Sequence, residues 1–263
     1  MDKPKDISEY PKWLKENLNI TIEEHYKNYF NLITSTLKEN IQNSNFFVSL
    51  VKNLREYNDE YEMQTGFPLL NYNQKIEFDK KSYNSFLLKS FRRNIIDNDN
   101  FPDEPNKGWL VPENWLESVN DIIRTTISVK YLDGVEFLMK KMTALAEANG
   151  FTSKYNLEAK EEGYYAAHSY FKKEIDIPGY GHNPIKIKFE FEIQITTQLQ
   201  EVIKTLLHKH YEVNRKKEKK ENTQWQWDYQ SLEFSTNYLG HILHYVEGMI
   251  MEVRTKQDKN KTI

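Results

Sequence analysis

Apolar and polar positions follow three regimes along this chain. From residue 7 to about 62 the apolar positions recur every three or four residues. Within EEHYKNYFNLITSTLKENI, Tyr26, Phe30, Ile33 and Leu37 share one face, and FFVSLVKNLREYNDEY repeats the pattern after a polar break at Asn43–Asn45. Both stretches predict helices, and Gly66-Phe67-Pro68 ends the region. KIEFDK then reads as a short strand and Ser82 to Ile96 as a helix, while the Pro, Gly, Asn and Asp content of DNDNFPDEPNKGWLVPENW predicts a loop. Beyond that loop the pattern changes. Residues 120–131, 153–160, 163–177 and 185–197 predict strands, the last two joined by the turn-like PGYGHNP, and residues 134–149 and 198–213 predict helices. A final helix over about 230–255 carries Leu239, Ile242, Val246, Met249 and Val253 on one face.

Helices, then a mixed sheet with helices on it, then helices again make an α+β fold with N- and C-terminal helical extensions. The natural divisions are an N-terminal helical region (1–75), a central domain (76–213), a charged connector (214–229) and a C-terminal helix packing on the domain (230–263). Residues 1–75 read as a structural helical cap, with a partner or RNA surface as the alternative. The 17 Tyr and 14 Phe argue for a folded protein despite the polar composition. A net charge of −3 gives no global basic field to attract nucleic acid, although Lys209 to Lys220 form a local basic run. The absence of cysteine excludes disulfides and thiolate metal sites. The N-terminus has no signal-peptide core, and no apolar run approaches the ~18–20 residues of a membrane span, so the expectation is a cytoplasmic protein with no membrane partner.

Three constellations could carry chemistry. In KSYNSFLLKSFRR, at ~100° per residue, Lys81, Ser85, Lys89 and Arg92 fall within roughly 80° of one another, with Arg93 slightly beyond. Leu87, Leu88, Phe91 and Ile95 take the opposite flank. Such a stripe suits either a polyphosphate cradle or the wet face of an ordinary amphipathic helix. Asp121 heads a strand, where it could cap a turn or, with Glu192, hold Mg²⁺, an ion that prefers one or two carboxylates. Glu192 lies in FEFEIQITTQ, whose Phe189, Phe191, Ile193 and Ile195 point one way and whose Glu190, Glu192, Gln194 and Thr196 point the other. A solvent-facing edge or a charged cleft would both produce this pattern. In EGYYAAH, Tyr164 and His168 share one strand face, as a base-stacking pair or as half-buried core.

Histidine spacing argues against zinc. His208 and His210 lie about 200° apart on a helix, and His241 and His244 lack an evident third ligand. No Walker-type loop or G-x-S-x-G elbow occurs.

Taken in order, these motifs resemble the synthetase domain of the RelA/SpoT family, over about residues 78–212. The family's K-x-x-x-S-x-x-x-K-x-x-R is matched by Lys81, Ser85, Lys89 and Arg92, its metal-binding Asp by Asp121, its G-Y-x-x-x-H by Gly163, Tyr164 and His168. Its E-I-Q-I-R-T is matched by Glu192 to Thr197, and its His and following Tyr by His208 and Tyr211. The resemblance implies a nucleotidyltransferase-like fold and transfer of pyrophosphate from ATP to the 3′-hydroxyl of a guanine nucleotide, with Mg²⁺ as cofactor. It implies Asp121 and Glu192 as catalytic and metal-binding residues. Lys81, Ser85, Lys89, Arg92, Arg93 and Arg124 would then serve ATP, and Tyr164, His168, Gln194 and His208 the acceptor.

The departures concern cations. D-x-x-G-x-R becomes D-I-I-R-T-T, so the Gly is absent and Arg124 arrives two places early; the Arg of E-I-Q-I-R-T is Thr196. Asp79 stands where an Arg is common, and Tyr165 replaces a polar or basic residue. These changes bear on the acceptor more than on ATP. They keep open the same chemistry on the 3′ end of tRNA, as in toxic relatives, for which Lys204, Lys209 and Arg215 to Lys217 would be the basic patch. A catalytically silent nucleotide-binding regulator is a third reading, and partners such as an antitoxin or a second copy of the chain are left open.

Overall fold

The computed structural model describes residues 2–71, 74–179, 183–205 and 225–261. The region expected to be mostly helical holds three helices, α1 (Tyr10–Leu18), α2 (Glu24–Gln42) and α3 (Asn45–Thr65), of which the last two are the stretches singled out by periodicity. A short β1 (Asp79–Lys80) leads into α4 (Tyr83–Phe91), which runs on into a π-helical turn at Arg92–Ile96. After a loop come α5 (Trp115–Ser118), β2 (Ile123–Val129), α6 (Leu132–Ala148) and β3 (Thr152–Ala159). β4 (Tyr165–Pro178) and β5 (Pro184–Thr197) follow, then the helical residues 198–205 (α7), a 3₁₀ turn (Trp225–Trp227) and α8 (Leu232–Lys261). No described helix is long and apolar enough to cross a membrane.

The strands form one mixed five-stranded sheet in the order β1-β2-β5-β4-β3, flanked by helices. β5 is therefore central, and its polar side is as buried as its apolar side: Phe191, Ile193 and Ile195 are buried, and so are Glu192, Gln194 and Thr196. The strand expected over KIEFDK shrinks to two residues, paired antiparallel as Asp79↔Arg124 and Lys80↔Ile123. Just before it a side chain takes over from the ladder, with Thr125 Oγ1 donating to the Glu77 carbonyl at 2.7 Å.

Two compact units divide the chain: Met1–Phe47, Phe78–Arg124 and Phe171–Glu192 make the first, and Val48–Glu77, Thr125–Tyr170 and Ile193–Ile263 the second. In the first, the apolar flank of α4 is covered from behind by α1. Tyr10, Trp13, Leu14, Phe91 and Ile95 form a buried cluster, with Leu87 and Leu88 packed against it. Polar bonds fix the register. Tyr10 Oη lies 2.8 Å from Ser90 Oγ and accepts from Asn94 Nδ2 at 2.7 Å. Burial outweighs those bonds and pushes the Tyr10 phenol up to about 12. Phe30, Phe86 and Trp115 pack with ring centroids 4.7–5.2 Å apart on another side of α4.

In the second unit, Asn58 Oδ1 accepts from the Leu69 and Leu70 amides, each at 3.0 Å, and so ties α3 to the segment after it. α8 is anchored by polar groups. Arg254 donates to Asp133 at 3.1 Å and stacks 4.1 Å from the Tyr131 ring centroid. Its buried positions are Thr236, Asn237, Gly240, Glu247 and Arg254. The expected stripe is present on the helix, but Leu239, Ile242, Met249 and Val253 are exposed. A periodicity argument assumes that the apolar face turns inward, and here the inward face is polar and paired.

Candidate active site

The cationic constellation lies in the first unit. α4 begins after Ser82, whose hydroxyl caps the helix by accepting from the Ser85 amide at 3.2 Å. Lys81 therefore precedes the helix and does not belong to its face; its amide donates to the Ile122 carbonyl at 2.8 Å. Even so, its side chain ends where the stripe required. Lys81 Nζ reaches Asp121 Oδ2 at 2.8 Å and Lys89 Nζ reaches Asp121 Oδ1 at 2.7 Å. Two ammonium groups thus converge on one carboxylate that is 19% exposed.

Burial alone would raise the Asp121 carboxyl. The charges and hydrogen bonds of Lys89 and Lys81 outweigh it and bring the group down to about 2. Lys81 goes the other way: burial lowers its ammonium pKa, with Lys89 and Arg124 adding to the fall, and Asp121 only partly offsets this. Asp121 is ionised at any physiological pH, between two lysines of which one is nearly out of solvent.

The remaining cations are distributed differently. The π-helical turn ends the 100° spacing at Arg92. Arg92 pairs with Asp97 at 3.5 Å. Arg93 is turned to the loop behind, donating to the Lys107 carbonyl at 2.9 Å and to that of Ser118 at 3.4 Å. It reads here as a loop clamp. Ser85 Oγ is bonded to Ser82 Oγ at 2.9 Å within the first turn of α4. Arg124 is exposed, on the β2 residue paired with Asp79. Glu192, on β5 in the same unit, is only 3% exposed.

The aromatic pair lies in the second unit. Tyr164 stands one residue before β4 and His168 on it, and Tyr164 Oη and His168 Nε2 are 3.2 Å apart. Two residues that the motif reading did not single out complete the cluster. Glu158 Oε2 lies 3.3 Å from His168 Nε2 and 3.1 Å from Lys160 Nζ. Lys160 Nζ in turn sits 5.3 Å from the Tyr164 ring centroid. A cation beside an aromatic face is a local arrangement that base stacking and phosphate recognition can both use. Gln194 accepts from Lys204 Nζ at 2.7 Å through Oε1, so Lys204 of the expected basic patch is engaged on β5. His208, Tyr211, Lys209 and Arg215 to Lys217 lie outside the described residues.

Among the described residues no group of three or more His, Asp or Glu side chains is arranged to hold a metal. The two carboxylates Asp121 and Glu192 are hard oxygen ligands of the kind Mg²⁺ accepts in ones or twos.

No family model and no curated protein sequence matches the chain. Solved structures do. The likeness is one of fold, a mixed sheet with flanking helices of the RelA/SpoT synthetase-domain type. More narrowly, the fold is that of the small alarmone synthetases. Small alarmone synthetase 1 from Bacillus subtilis superposes with a TM-score of 0.57 at 14% identity, over 90% of this chain and 100% of that one. The same enzyme bound to its product pppGpp gives 0.54 at 17% identity, again over 90% and 100%. A GTP pyrophosphokinase family protein from Streptococcus pneumoniae gives 0.51 at 15% identity, over 92% and 97%.

Proposed function

We propose that this protein is a pyrophosphotransferase, moving the β,γ-pyrophosphate of ATP to the 3′-hydroxyl of a guanine nucleotide and releasing AMP. The observation that supports it most is the pairing of Lys81 and Lys89 on Asp121, an ionised carboxylate flanked by the cations a triphosphate needs. Lys81 and Lys89 would hold ATP phosphate oxygens, with Ser85, Arg92 and Arg124 around them. Glu192 would accept the proton of the attacking hydroxyl. Mg²⁺ would be held by Asp121 with Glu192 and would supply charge neutralisation on the phosphates. Tyr164 would stack on the acceptor base, with His168 steadying its hydroxyl and Lys160 supplying a cation beside it. A structural neighbour that holds pppGpp as its product supports a guanine nucleotide as acceptor.

The test offers γ-labelled ATP and Mg²⁺ with GDP, GTP or deacylated tRNA in parallel. Label on GDP or GTP, with AMP released and with transfer lost in Glu192→Gln, is the expected result. Label on tRNA alone would overturn the acceptor assignment. Undiminished transfer by Glu192→Gln would overturn the site.

A further inference from the structure

The turn that carries Tyr164 does not stand alone. Gly163 has φ +76° and lies against α8 so closely that a Cβ there would collide with the Asn237 carbonyl and come within 3.0 Å of the His241 amide. The contact is glycine on both sides: a Cβ on Gly240 would strike the Gly163 carbonyl and lie 3.1 Å from its Cα. Backbone therefore rests directly on backbone.

His241, the next residue of α8, spans this turn. Its Nε2 lies 2.8 Å from the Glu161 carbonyl, which can only accept, so Nε2 carries the proton. Nδ1 is then the acceptor in the neutral ring, and the Tyr165 hydroxyl donates to it at 2.9 Å. One imidazole thus bonds both shoulders of the segment 161–165, with Gly163 and Tyr164 between them.

A second ring completes the seat. Tyr165 stacks on His244 at 3.6 Å between centroids and 9° between planes. His244 Nδ1 lies 3.4 Å from Glu247 Oε2, and Glu247 is itself buried, bonded to Thr197 and to Gln200 Nε2. From the strand side, the Gly163 amide donates to the Lys160 carbonyl and the Lys160 amide to the Tyr164 carbonyl, both at 2.9 Å. Tyr165, which stands where the family pattern has a polar or basic residue, is thereby the handle by which α8 grips the turn.

We infer that His241 is a positioning residue for acceptor binding: by bridging Glu161 and Tyr165 it fixes the direction in which Tyr164 presents its ring. This rests on the acceptor role given to Tyr164 above. Ordinary helix packing would need neither both nitrogens of one ring on one turn nor glycines on both faces of the contact.

Three variants test it: His241→Ala, His241→Gln, whose amide can donate to Glu161 and accept from Tyr165, and Tyr165→Phe, which keeps the stack and loses the hydroxyl. Amide hydrogen exchange over residues 160–166 should accelerate at least tenfold in His241→Ala, with exchange in α4 unchanged. KM for the guanine acceptor should rise about tenfold while kcat and KM for ATP stay within twofold. Tyr165→Phe should move both readouts the same way by less, and His241→Gln should recover most of the loss. Unchanged exchange in the turn would overturn the inference, as would faster exchange with an unaltered acceptor KM. A wild-type protein that transfers nothing would refute the proposed reaction, and the exchange measurement would still decide by itself whether His241 holds the turn.

Discussion

Asp121→Asn separates the electrostatic role of this carboxylate from its bulk. The group titrates at about 2 in the fold against an ordinary value of 3.8. A folded-state pKa below the unfolded one stabilises the protein fully above 3.8, and the contribution drains away as pH falls towards 2. At 1.36 kcal/mol per unit, the shift is worth about 2 kcal/mol at pH 7 and about 1 kcal/mol at pH 3. The carboxylate is 19% exposed, so little of this is lost to solvent screening. The variant should unfold at lower urea than wild type at pH 7, and the gap should narrow by about half at pH 3. Removing the carboxylate also leaves Lys81 buried without its partner, which adds to the loss at neutral pH. The double variant Lys81→Met/Asp121→Asn should therefore recover part of the stability that Asp121→Asn loses. A gap that is the same at pH 7 and pH 3 would refute the argument, because it would mean that the two lysines do not hold the charge of Asp121 in the fold.

Two further substitutions probe cations with structural duties. Arg93→Ala should cost ~1–2 kcal/mol and speed proteolysis around residues 103–110, since the guanidinium bonds the Lys107 and Ser118 carbonyls. A large rise in KM for ATP without loss of stability would instead place Arg93 at the nucleotide. Arg254→Met should lower stability by ~2–4 kcal/mol in urea unfolding, because it removes a charge seated 4.1 and 4.4 Å from the Tyr131 and Phe67 rings and bonded to Asp133 and Tyr61. Arg254→Lys should recover little of it, since an ammonium cannot reproduce the planar stack. Full recovery would sink the stacking argument.

The parts of this molecule legible in the sequence are those with local periodicity. The apolar flank of α4 is written at helical spacing, and Phe91 is buried as that spacing requires. Tyr164 and His168 meet as their even offset suggests, although Tyr164 stands in the turn just before β4 and only His168 is on the strand. Legibility fails where geometry departs from the ideal repeat or where partners are remote. Lys81 precedes the cap of α4, and the π-helical turn ends the α-helical spacing at Arg92, so the wheel that groups Lys81 to Arg93 describes the stripe only in part. His241 meets Tyr165 across 76 residues, and nothing periodic in HILHYVEG marks it. α8 shows the failure most plainly: its apolar stripe is its exposed face, because its inner positions are spent on a glycine contact and on polar pairs.

β5 brings these lines together. Its alternation is compatible with one side facing water, yet the strand is central and Glu192, Gln194 and Thr196 are each no more than 6% exposed. Carboxylates are seldom so buried unless they are paired or used. If Glu192 were kept chiefly for stability, the isosteric amide of Glu192→Gln would be expected to cost several kcal/mol, as breaking a buried charge pair does. If it is kept for proton transfer, the amide should leave stability within about 1 kcal/mol of wild type, since it preserves volume and one accepting oxygen, while transfer disappears. Measured on one preparation, urea midpoint and pyrophosphate transfer therefore discriminate: stability intact with transfer lost is the signature of a catalytic carboxylate, and stability lost in step with transfer would make Glu192 a structural one.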